Sequence, residues 1–397
     1  MTHAKRADTL VNVDRWSVYI SAGLLSFCGM MGFTFLPLIV SSMEVRFGFA
    51  EAEAGDAVAC FFAGITFVAL TSYSWVRRYS WRRSALLGQL IGLAGLGGLL
   101  AAVSFGQVAV LLFAAGAGFG VSSSAALTVF GDSRVPDRAF AINMLMQSAP
   151  GAGAMIVLAL LMHGTAGDWT VVICFMLIST AICSLGAVGL PPCSTTKNPS
   201  TDVGLRGNYG LSKPIAATVA TFLFMSSCTA PWIFMDDAIA ARHLNHDLVS
   251  IALGGSQATS IVGALAAMFL AQKWGRAWPV ILGSAVSVAG LALVGFSTDG
   301  LSFALGACLS FLSPNFLLAY SLGLTSELDR SGRMMAASSA AMLGPPLVLP
   351  PIAGRLYTSF GFSSNLVLGA VALGVGAAIY LVLCCDGRQK IGAAIQE

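Results

Sequence analysis

Several amide side chains stand inside long apolar stretches of this sequence, and four of them are candidates to hydrogen-bond a solute. Asn143 and Gln147 are four residues apart, so they share one face of a helix, and the other two amides are Gln257 and Asn315. An amide that faced lipid would leave its hydrogen-bonding groups without partners, so we expect all four to point into the protein. The alternative role is helix-to-helix hydrogen bonding, worth about 0.6–2 kcal/mol.

Aromatic and hydroxyl side chains accompany these amides. Methionine and aromatic residues are frequent near positions 30–35 and 222–232, where ordinary packing is the alternative to a binding role. If part of this set lines a cavity, the solute is at least partly apolar. The predicted solute contacts are Asn143, Gln147, Gln257, Asn315, Tyr320, Thr34, Phe33 and Trp232.

Charged residues are absent from the centres of the apolar stretches, which argues against a site for a multiply charged anion. The sequence also lacks the G-x-x-x-x-G-K-[ST] loop that cradles phosphates, so a proton or sodium gradient is the expected energy source rather than ATP. A partly desolvated carboxylate has a raised pKa and can carry a proton. The candidates for proton coupling are Asp56, Asp236 and Asp237, with ordinary solvated positions as the alternative.

The sequence shows no constellation of catalytic or metal-binding residues. It contains no H-E-x-x-H, no G-x-S-x-G and no paired carboxylates at mid-stretch. The nine cysteines form no C-x-x-C pair and are best explained as small apolar packing residues. We therefore predict that the protein is not an enzyme and has no cofactor and no metal site.

The elements that must position these residues are membrane-spanning helices. The chain has 397 residues, of which 56% are hydrophobic and 10% are charged, and its mean hydropathy is +0.81. A water-soluble domain is usually about 25% charged, so lipid is the expected solvent. Segments long enough to cross the bilayer recur twelve times, near 16–42, 54–76, 84–104, 107–131, 138–163, 169–190, 213–240, 249–273, 278–297, 300–326, 334–357 and 363–385.

The distribution of positive charge predicts the orientation. With both termini in the cytoplasm, 18 of the 21 Lys and Arg residues fall on the cytoplasmic side, and only Arg46, Arg242 and Arg355 fall on the other. Positive residues are retained inside, so this asymmetry supports an even number of spans. We expect a multi-pass protein of the plasma membrane, such as a bacterial inner membrane, with both termini in the cytoplasm.

The chain repeats itself once at low resolution. A shift of 195 residues carries Pro150 onto Pro345, Arg138 onto Arg333 and Asp132 onto Glu327. Two similar halves are typical of secondary transporters, with the solute site between them. The predicted fold is all-α, with twelve transmembrane helices in two pseudo-symmetric six-helix bundles, 1–190 and 213–397, joined by a cytoplasmic linker, 191–212.

Three places resemble motifs of the major facilitator superfamily. Residues 73–83 (YSWVRRYSWRR) are similar to that family's G-x-L-x-D-R-x-G-R-R loop, although Arg77 stands where the Asp is expected. Residues 273–276 (KWGR) are the counterpart in the second half. Residues 136–141 (PDRAFA) and 331–336 (SGRMMA) resemble the R-x-x-A stretches that open the fifth and eleventh helices.

This resemblance implies the facilitator fold and alternating access, with polar mid-span residues facing a central cavity. In the family, the loop Asp helps to latch the cytoplasmic side shut. Because that Asp is missing, the latch must use Asp132, Asp137, Glu327 or Asp329, each facing an arginine. We call the following set the cytoplasmic gate: Arg77, Arg82, Asp132, Arg138, Glu327, Asp329 and Arg333. The alternative is that these arginines only set topology.

The predicted function is gradient-driven transport of a small, partly apolar organic solute, coupled to a proton or a sodium ion, by a monomer. Uptake is slightly favoured, because 111–116 (LLFAAG) lacks the Arg often found there in proton–drug antiporters. Efflux of drugs or toxic metabolites is the alternative, which Pro150 and its neighbours favour. A membrane enzyme, a channel or a solute-sensing receptor are competing interpretations from other classes, and nothing in the sequence indicates nucleic acid as a partner.

Overall fold

The computed structural model describes residues 13–49, 51–161, 168–193, 212–235, 246–270, 275–329 and 333–394. These residues contain helices and no strand. The helices are α1 (Trp16–Thr34), α2 (Leu36–Phe47), α3 (Glu51–Trp75), α4 (Trp81–Leu99), α5 (Phe105–Gly131), α6 (Pro136–Leu161), α7 (Trp169–Gly189), α8 (Ser212–Trp232), α9 (His246–Leu270), α10 (Ala277–Phe296), α11 (Gly300–Leu328), α12 (Arg333–Leu343), α13 (Pro345–Phe360) and α14 (Phe362–Ala394).

Many of these helices are long and apolar enough to cross a bilayer. Within the described ranges, eight meet both criteria, and residues 333–360, bent by 42° at a break, would make a ninth. Large apolar side chains such as those of Leu185, Phe269 and Val382 are exposed, as expected for surfaces that face lipid. The prediction of an all-α membrane protein is confirmed, while the count of twelve spans stays a prediction.

Prolines lie beside one helix break and inside two continuous helices. The helix pair α1 and α2 is interrupted at Phe35, and α12 and α13 are separated by Gly344, directly before Pro345. Pro150 lies inside α6 and Pro314 inside α11. Proline has no backbone N–H and its ring clashes with the preceding turn, so each position weakens the helix locally.

Contacts between residues divide the chain into two compact units. Unit 1 comprises the described parts of Met1–Pro136, Pro150–Asn208 and Asp329–Leu347. Its helices approach closely through small residues, because a Cβ at Gly116 of α5 would meet the carbonyl oxygen of Phe61 in α3. The helix α12 packs on α3 and α5 in this unit, and the Oγ atoms of Ser124 and Ser339 are 3.0 Å apart.

Unit 2 comprises the described parts of Asp137–Ala149, Tyr209–Leu328 and Val348–Glu397. A Cβ at Gly290 of α10 would lie 2.9 Å from the carbonyl oxygen of Gly306 in α11, and the reverse substitution would give the same distance. A compact apolar core lies where the ends of four segments meet, and its buried members are Met235, Leu291, Val294, Phe303, Ala307, Phe362 and Leu366.

The two units cut across the order of the chain. Unit 2 includes the opening section of α6 and ends it at Ala149, directly before Pro150, while unit 1 includes α12 and ends just after Pro345 and Pro346. The shift of 195 residues relates Pro150 to Pro345, so the unit boundaries within these two helical segments lie at corresponding places of the repeat. The predicted sequence boundaries at 190 and 213 stay a prediction, and residues 194–211 lie outside the described residues.

Candidate solute site and charged clusters

The predicted amide pair lies in the opening section of α6, within unit 2. Nε2 of Gln147 donates a hydrogen bond of 3.3 Å to Oδ1 of Asn143. Both side chains are buried, Asn143 completely. Among the described residues, Nδ2 of Asn143 has no hydrogen-bond partner. A buried donor without a partner is costly, so this nitrogen is a natural contact for a solute or a water molecule.

Asn315 joins three helices of the same unit. Its Nδ2 donates to Oγ of Ser148 in α6 at 2.6 Å and to the carbonyl oxygen of Ser260 in α9 at 3.4 Å. Asn315 follows Pro314 in α11 and is only partly buried. The structure therefore joins Asn315 to Ser148, the residue that follows Gln147 in α6, and to the backbone of α9.

Tyr320 is the other polar residue predicted from α11. It is 1% exposed, and its ring lies 5.2 Å from the ring of Phe316. In the part of the chain that is described, its hydroxyl has no hydrogen-bond partner. Tyr320 thus resembles Asn143 in offering a buried polar atom that no group of the described residues satisfies.

The remaining predicted contacts are distributed over both units. Phe33 is buried in unit 1, and Thr34 lies at the end of α1, where a Cβ at Gly151 would be 3.5 Å from its methyl group. The ring of Trp232 in unit 2 lies 4.6 Å from that of Phe311 and packs on the apolar core. Gln257 lies in α9, and its side chain is outside what the structure describes.

The three predicted proton-coupling carboxylates are only partly accounted for. Asp56 lies in α3, is exposed and acts electrostatically on Cys60, one turn further along the helix. Asp236 and Asp237 lie outside the described residues. Their coupling role stays a prediction.

Unit 1 contains a buried ion pair between two of the predicted gate residues. The guanidinium of Arg77 donates from Nη1 and Nη2 to the two carboxylate oxygens of Asp132, at 2.7 and 2.6 Å. Both side chains are buried, at 4% and 0% exposure. The indole ring of Trp81 lies 5.4 Å from the Arg77 guanidinium carbon and adds a cation–π contact. Arg77 therefore takes the place of the family Asp with the opposite charge and still has a carboxylate partner.

The other gate residues of this unit stand at helix ends. Oδ2 of Asp329 accepts a hydrogen bond of 3.1 Å from the backbone N–H of Met335 and so caps the start of α12. The guanidinium carbon of Arg333 lies 5.8 Å from the ring of Tyr73. Arg82, at the start of α4, is exposed. Their role as a gate stays a prediction.

Unit 2 contains a second charged cluster, which we call the Arg276 triad: Arg276, Asp137 and Glu327. Nη1 and Nη2 of Arg276 donate to Glu327 at 2.5 and 2.6 Å, and its Nε donates to Oδ2 of Asp137 at 3.0 Å. Burial raises the pKa of Asp137, and the nearby charge of Glu327 raises it further, while Arg276 opposes both effects. Arg138, the next residue in α6, is exposed.

Sequence reasoning found Asp137 and Glu327 but missed Arg276 as their partner. The available signal was its position in residues 273–276, the counterpart of the basic loop in the first half. The shift of 195 residues places Arg276 on Trp81 rather than on an arginine, so the repeat did not mark it. Arg77 and Arg276 form their ion pairs from different positions of two corresponding loops.

Long apolar helices with exposed apolar side chains define a multi-pass membrane protein. A family model described as Major Facilitator Superfamily matches residues 22–211 and 217–390, so the chain belongs to this superfamily. The resemblance seen in the sequence is thereby confirmed. No curated protein matches the sequence.

Three solved structures of similar fold are those of transporters. FucP in the outward conformation is 14% identical with a TM-score of 0.73, and the match covers 92% of this chain and 98% of that one. A variant of the E. coli fucose:proton symporter FucP is 13% identical, with a TM-score of 0.71 and coverages of 92% and 98%. The human organic anion transporter MFSD10 is 13% identical, with a TM-score of 0.72 and coverages of 92% and 99%. At these identities the likeness establishes the fold alone.

Proposed function

We propose that this chain is a proton-coupled secondary transporter that takes up a small, partly apolar organic solute by alternating access. We further propose that it works as a monomer in the plasma membrane with both termini in the cytoplasm. Membership of the superfamily supports secondary transport in general. The fucose:proton symporter among the structural neighbours supports the proton as the coupling ion.

The observation that carries the proposal is a set of polar side chains in unit 2, called here the polar group, which consists of two hydrogen-bonded pairs, Asn143–Gln147 and Ser148–Asn315. Its amide pair is buried, and Asn143 Nδ2 is left without a partner in the part of the chain described. Its hydrogen-bonding groups are all neutral. Such a site favours a solute with hydroxyl, carbonyl or amide groups over a solute with several charges, because it offers no counter-charge.

Apolar side chains complete the proposed site. Phe33, Thr34 and Trp232 are the candidates that would contact an apolar part of the solute, with Gln257 and Tyr320 as further polar contacts. The amide side chains would orient the solute, and the aromatic side chains would supply most of the binding affinity, as is usual in small-molecule sites. Asp56, Asp236 and Asp237 remain the proposed carriers of the coupled proton.

The charged residues at the cytoplasmic helix ends are proposed to act as the gate of alternating access. The gate set of Arg77, Arg82, Asp132, Arg138, Glu327, Asp329 and Arg333 would be joined by Arg276 and Asp137. Ion pairs at helix ends are suited to this role, because opened charges can be rehydrated. Each pair whose charges are hydrated on opening would then bias the equilibrium between two states without locking it.

Flux measurements in proteoliposomes test the function. The purified protein is reconstituted, a pH gradient is imposed, and a panel of labelled sugars, polyols, monocarboxylates and aromatic drugs is screened for uptake. We expect gradient-dependent flux of one class, with the Michaelis constant raised by Asn315→Ala and by Asn143→Ala. Asn365→Ala is the matched control, because Asn365 is a fully buried amide of the same unit outside this polar group.

The outcomes separate the competing interpretations. Solute accumulation on the alkaline side of an imposed gradient supports proton-coupled uptake, whereas expulsion against the direction of proton flow supports efflux of drugs or metabolites. Flux that ignores the gradient indicates a channel. Solute binding without any flux indicates a receptor and contradicts the proposal.

A further inference from the structure

The Arg276 triad has more negative than positive charge. One guanidinium faces two carboxylates, so the three side chains carry a net charge of −1 when both acids are ionised. By contrast, the Arg77–Asp132 pair of unit 1 is balanced one to one. A buried excess charge is unfavourable in a medium of low dielectric constant, and the binding of one proton would neutralise the triad.

The two carboxylates share Arg276 unequally. The two carboxylate oxygens of Glu327 accept hydrogen bonds from Nη1 and Nη2 of Arg276, and half of the Glu327 side chain is exposed. Oδ2 of Asp137 accepts a hydrogen bond from Nε of Arg276 and lies 2.9 Å from Nη2. The side chain of Asp137 is 1% exposed. Asp137 therefore has the weaker interaction with Arg276, and it is also the acid that is shielded from water.

The second oxygen of Asp137 is also the least satisfied atom of the cluster. Among the residues that the structure describes, Oδ1 of Asp137 has no hydrogen-bond partner. It lies against Gly323 of α11 so closely that a Cβ on that glycine would collide with it. An ionised oxygen without a donor is costly to bury, whereas a protonated carboxyl is not charged at all.

The other ionisable groups that face Asp137 do not supply the missing positive charge. The charge of Asp137 acts on Tyr320 of α11 and Tyr380 of α14, and both are neutral phenols when protonated. Tyr380 in turn faces Cys384 of its own helix. On α6 the neighbouring Arg138 is exposed to solvent. Arg276 is therefore the cation that balances Asp137 among the described residues of unit 2.

We propose that Asp137 binds one proton while α6 is packed against Arg276 and α11, and that it releases this proton to cytoplasmic water when these contacts open. The O–H bond of the carboxyl breaks, water takes the proton, and the carboxylate is hydrated; nothing is oxidised or reduced. This site is distinct from the coupling candidates Asp56, Asp236 and Asp237. The inference rests on the alternating access of the proposed function.

The sign of the pH dependence follows from the burial. The pKa of Asp137 is raised in the packed state, mainly by desolvation, and returns towards its ordinary value once the carboxyl is hydrated. The packed state therefore holds the proton more tightly than the open state. Linkage then requires that acid favours the packed state and that alkali favours opening, with a slope of at most about tenfold per pH unit for one proton.

Thiol labelling from the cytoplasmic face measures this opening without any solute. In a background with all nine cysteines replaced by serine, Ala139→Cys places a thiol on α6 at a position that is 1% exposed. Inside-out vesicles are treated with a membrane-impermeant maleimide over a range of pH. The rate is divided by that of Tyr79→Cys, which is 65% exposed and corrects for the ionisation of the thiol.

We expect the corrected labelling rate to rise with pH in the parent protein. Asp137→Asn mimics the protonated acid, so it should stay at the low rate of the parent in acid at every pH. Glu327→Gln removes the excess negative charge and should shift the midpoint of the rise to lower pH. Asp14→Asn removes another carboxylate from the predicted cytoplasmic side and should leave the midpoint unchanged. Asp14 accepts a hydrogen bond from Ser133 and is not a member of the Arg276 triad.

Two results would overturn the inference. One is a pH profile in Asp137→Asn that equals that of the parent, and the other is a midpoint that Glu327→Gln leaves in place. If Asp137→Asn does not accumulate, infrared difference spectra of the parent and of Glu327→Gln provide the test, since a protonated carboxyl band must titrate with the same midpoint. A failure of gradient-driven flux with this pH profile intact would reject the proposed function and leave the proton site standing.

Discussion

The buried ion pair between Arg77 and Asp132 allows a quantitative test of how unit 1 is held together. Both side chains are almost fully buried and are joined by two short hydrogen bonds. The value for exposed pairs, about 0–1 kcal/mol, therefore does not apply. Removing one partner of a buried pair leaves the other charge without compensation and costs about 3–5 kcal/mol.

The perturbation is a double-mutant cycle of Arg77→Met and Asp132→Leu. Each single replacement should lower the free energy of unfolding by about 3–5 kcal/mol. The double replacement removes both charges of this pair, so it should recover part of the loss, with a coupling energy of about 2–3 kcal/mol. Arg83→Met, which changes an exposed arginine of the same helix turn as Arg82, should change the free energy by less than about 0.5 kcal/mol.

The assay is equilibrium unfolding of the purified protein in mixed micelles with increasing denaturing detergent. Helix content and tryptophan fluorescence are followed together, so that a two-state transition can be checked. The reasoning fails if the single variants are as stable as the parent, or if the double variant loses the full sum of the two single losses. Either result would mean that water or another group satisfies these charges.

Helix packing and buried amides give three further predictions. Gly116→Ala drives a Cβ into the carbonyl oxygen of Phe61 and should lower the free energy of unfolding by about 1–3 kcal/mol. Gly97→Ala, where nothing lies within 4 Å of the added Cβ, should be neutral or slightly stabilising. Equal melting temperatures of the two variants would count against this packing. Asn365→Leu should stabilise the protein by about 1 kcal/mol, because both amide atoms of this buried residue lack partners in the described structure, while Asn315→Leu should destabilise it; a destabilised Asn365→Leu would show that its amide is satisfied. Trp232→Ala should cost about 3–5 kcal/mol through loss of the contact with Phe311, and an unchanged unfolding transition would contradict this estimate.

Local patterns were enough to predict the amide pair. Asn143 and Gln147 are separated by one helical turn, so their hydrogen bond follows from the period of the helix. The partner of Asn315 could not be predicted in the same way, because Ser148 is 167 residues away in the chain. Nothing in the sequence near Asn315 points to α6, and only the packing of three helices brings the two side chains together.

The charged clusters show the same limit. Arg77 and Asp132 were both predicted as gate residues because they stand at the ends of apolar segments. Their pairing, as well as that of Arg276 with Asp137, required the fold. Sequence reasoning offered four acids and four arginines in many combinations, and it missed Arg276 because the internal repeat aligned it with a tryptophan.

The sequence by itself determined that this is a helical membrane protein, and it predicted the two similar halves and the side that faces the cytoplasm. Composition, segment length and the positions of proline and arginine are local properties, and lipid admits few other solutions for such a chain. Only the tertiary structure decided which helix section joins which unit and which charges meet. In a bilayer the spans are apolar on nearly every face, so hydrophobic patterning hardly distinguishes one helix partner from another, and the choice depends on close packing of small residues and on a few polar contacts.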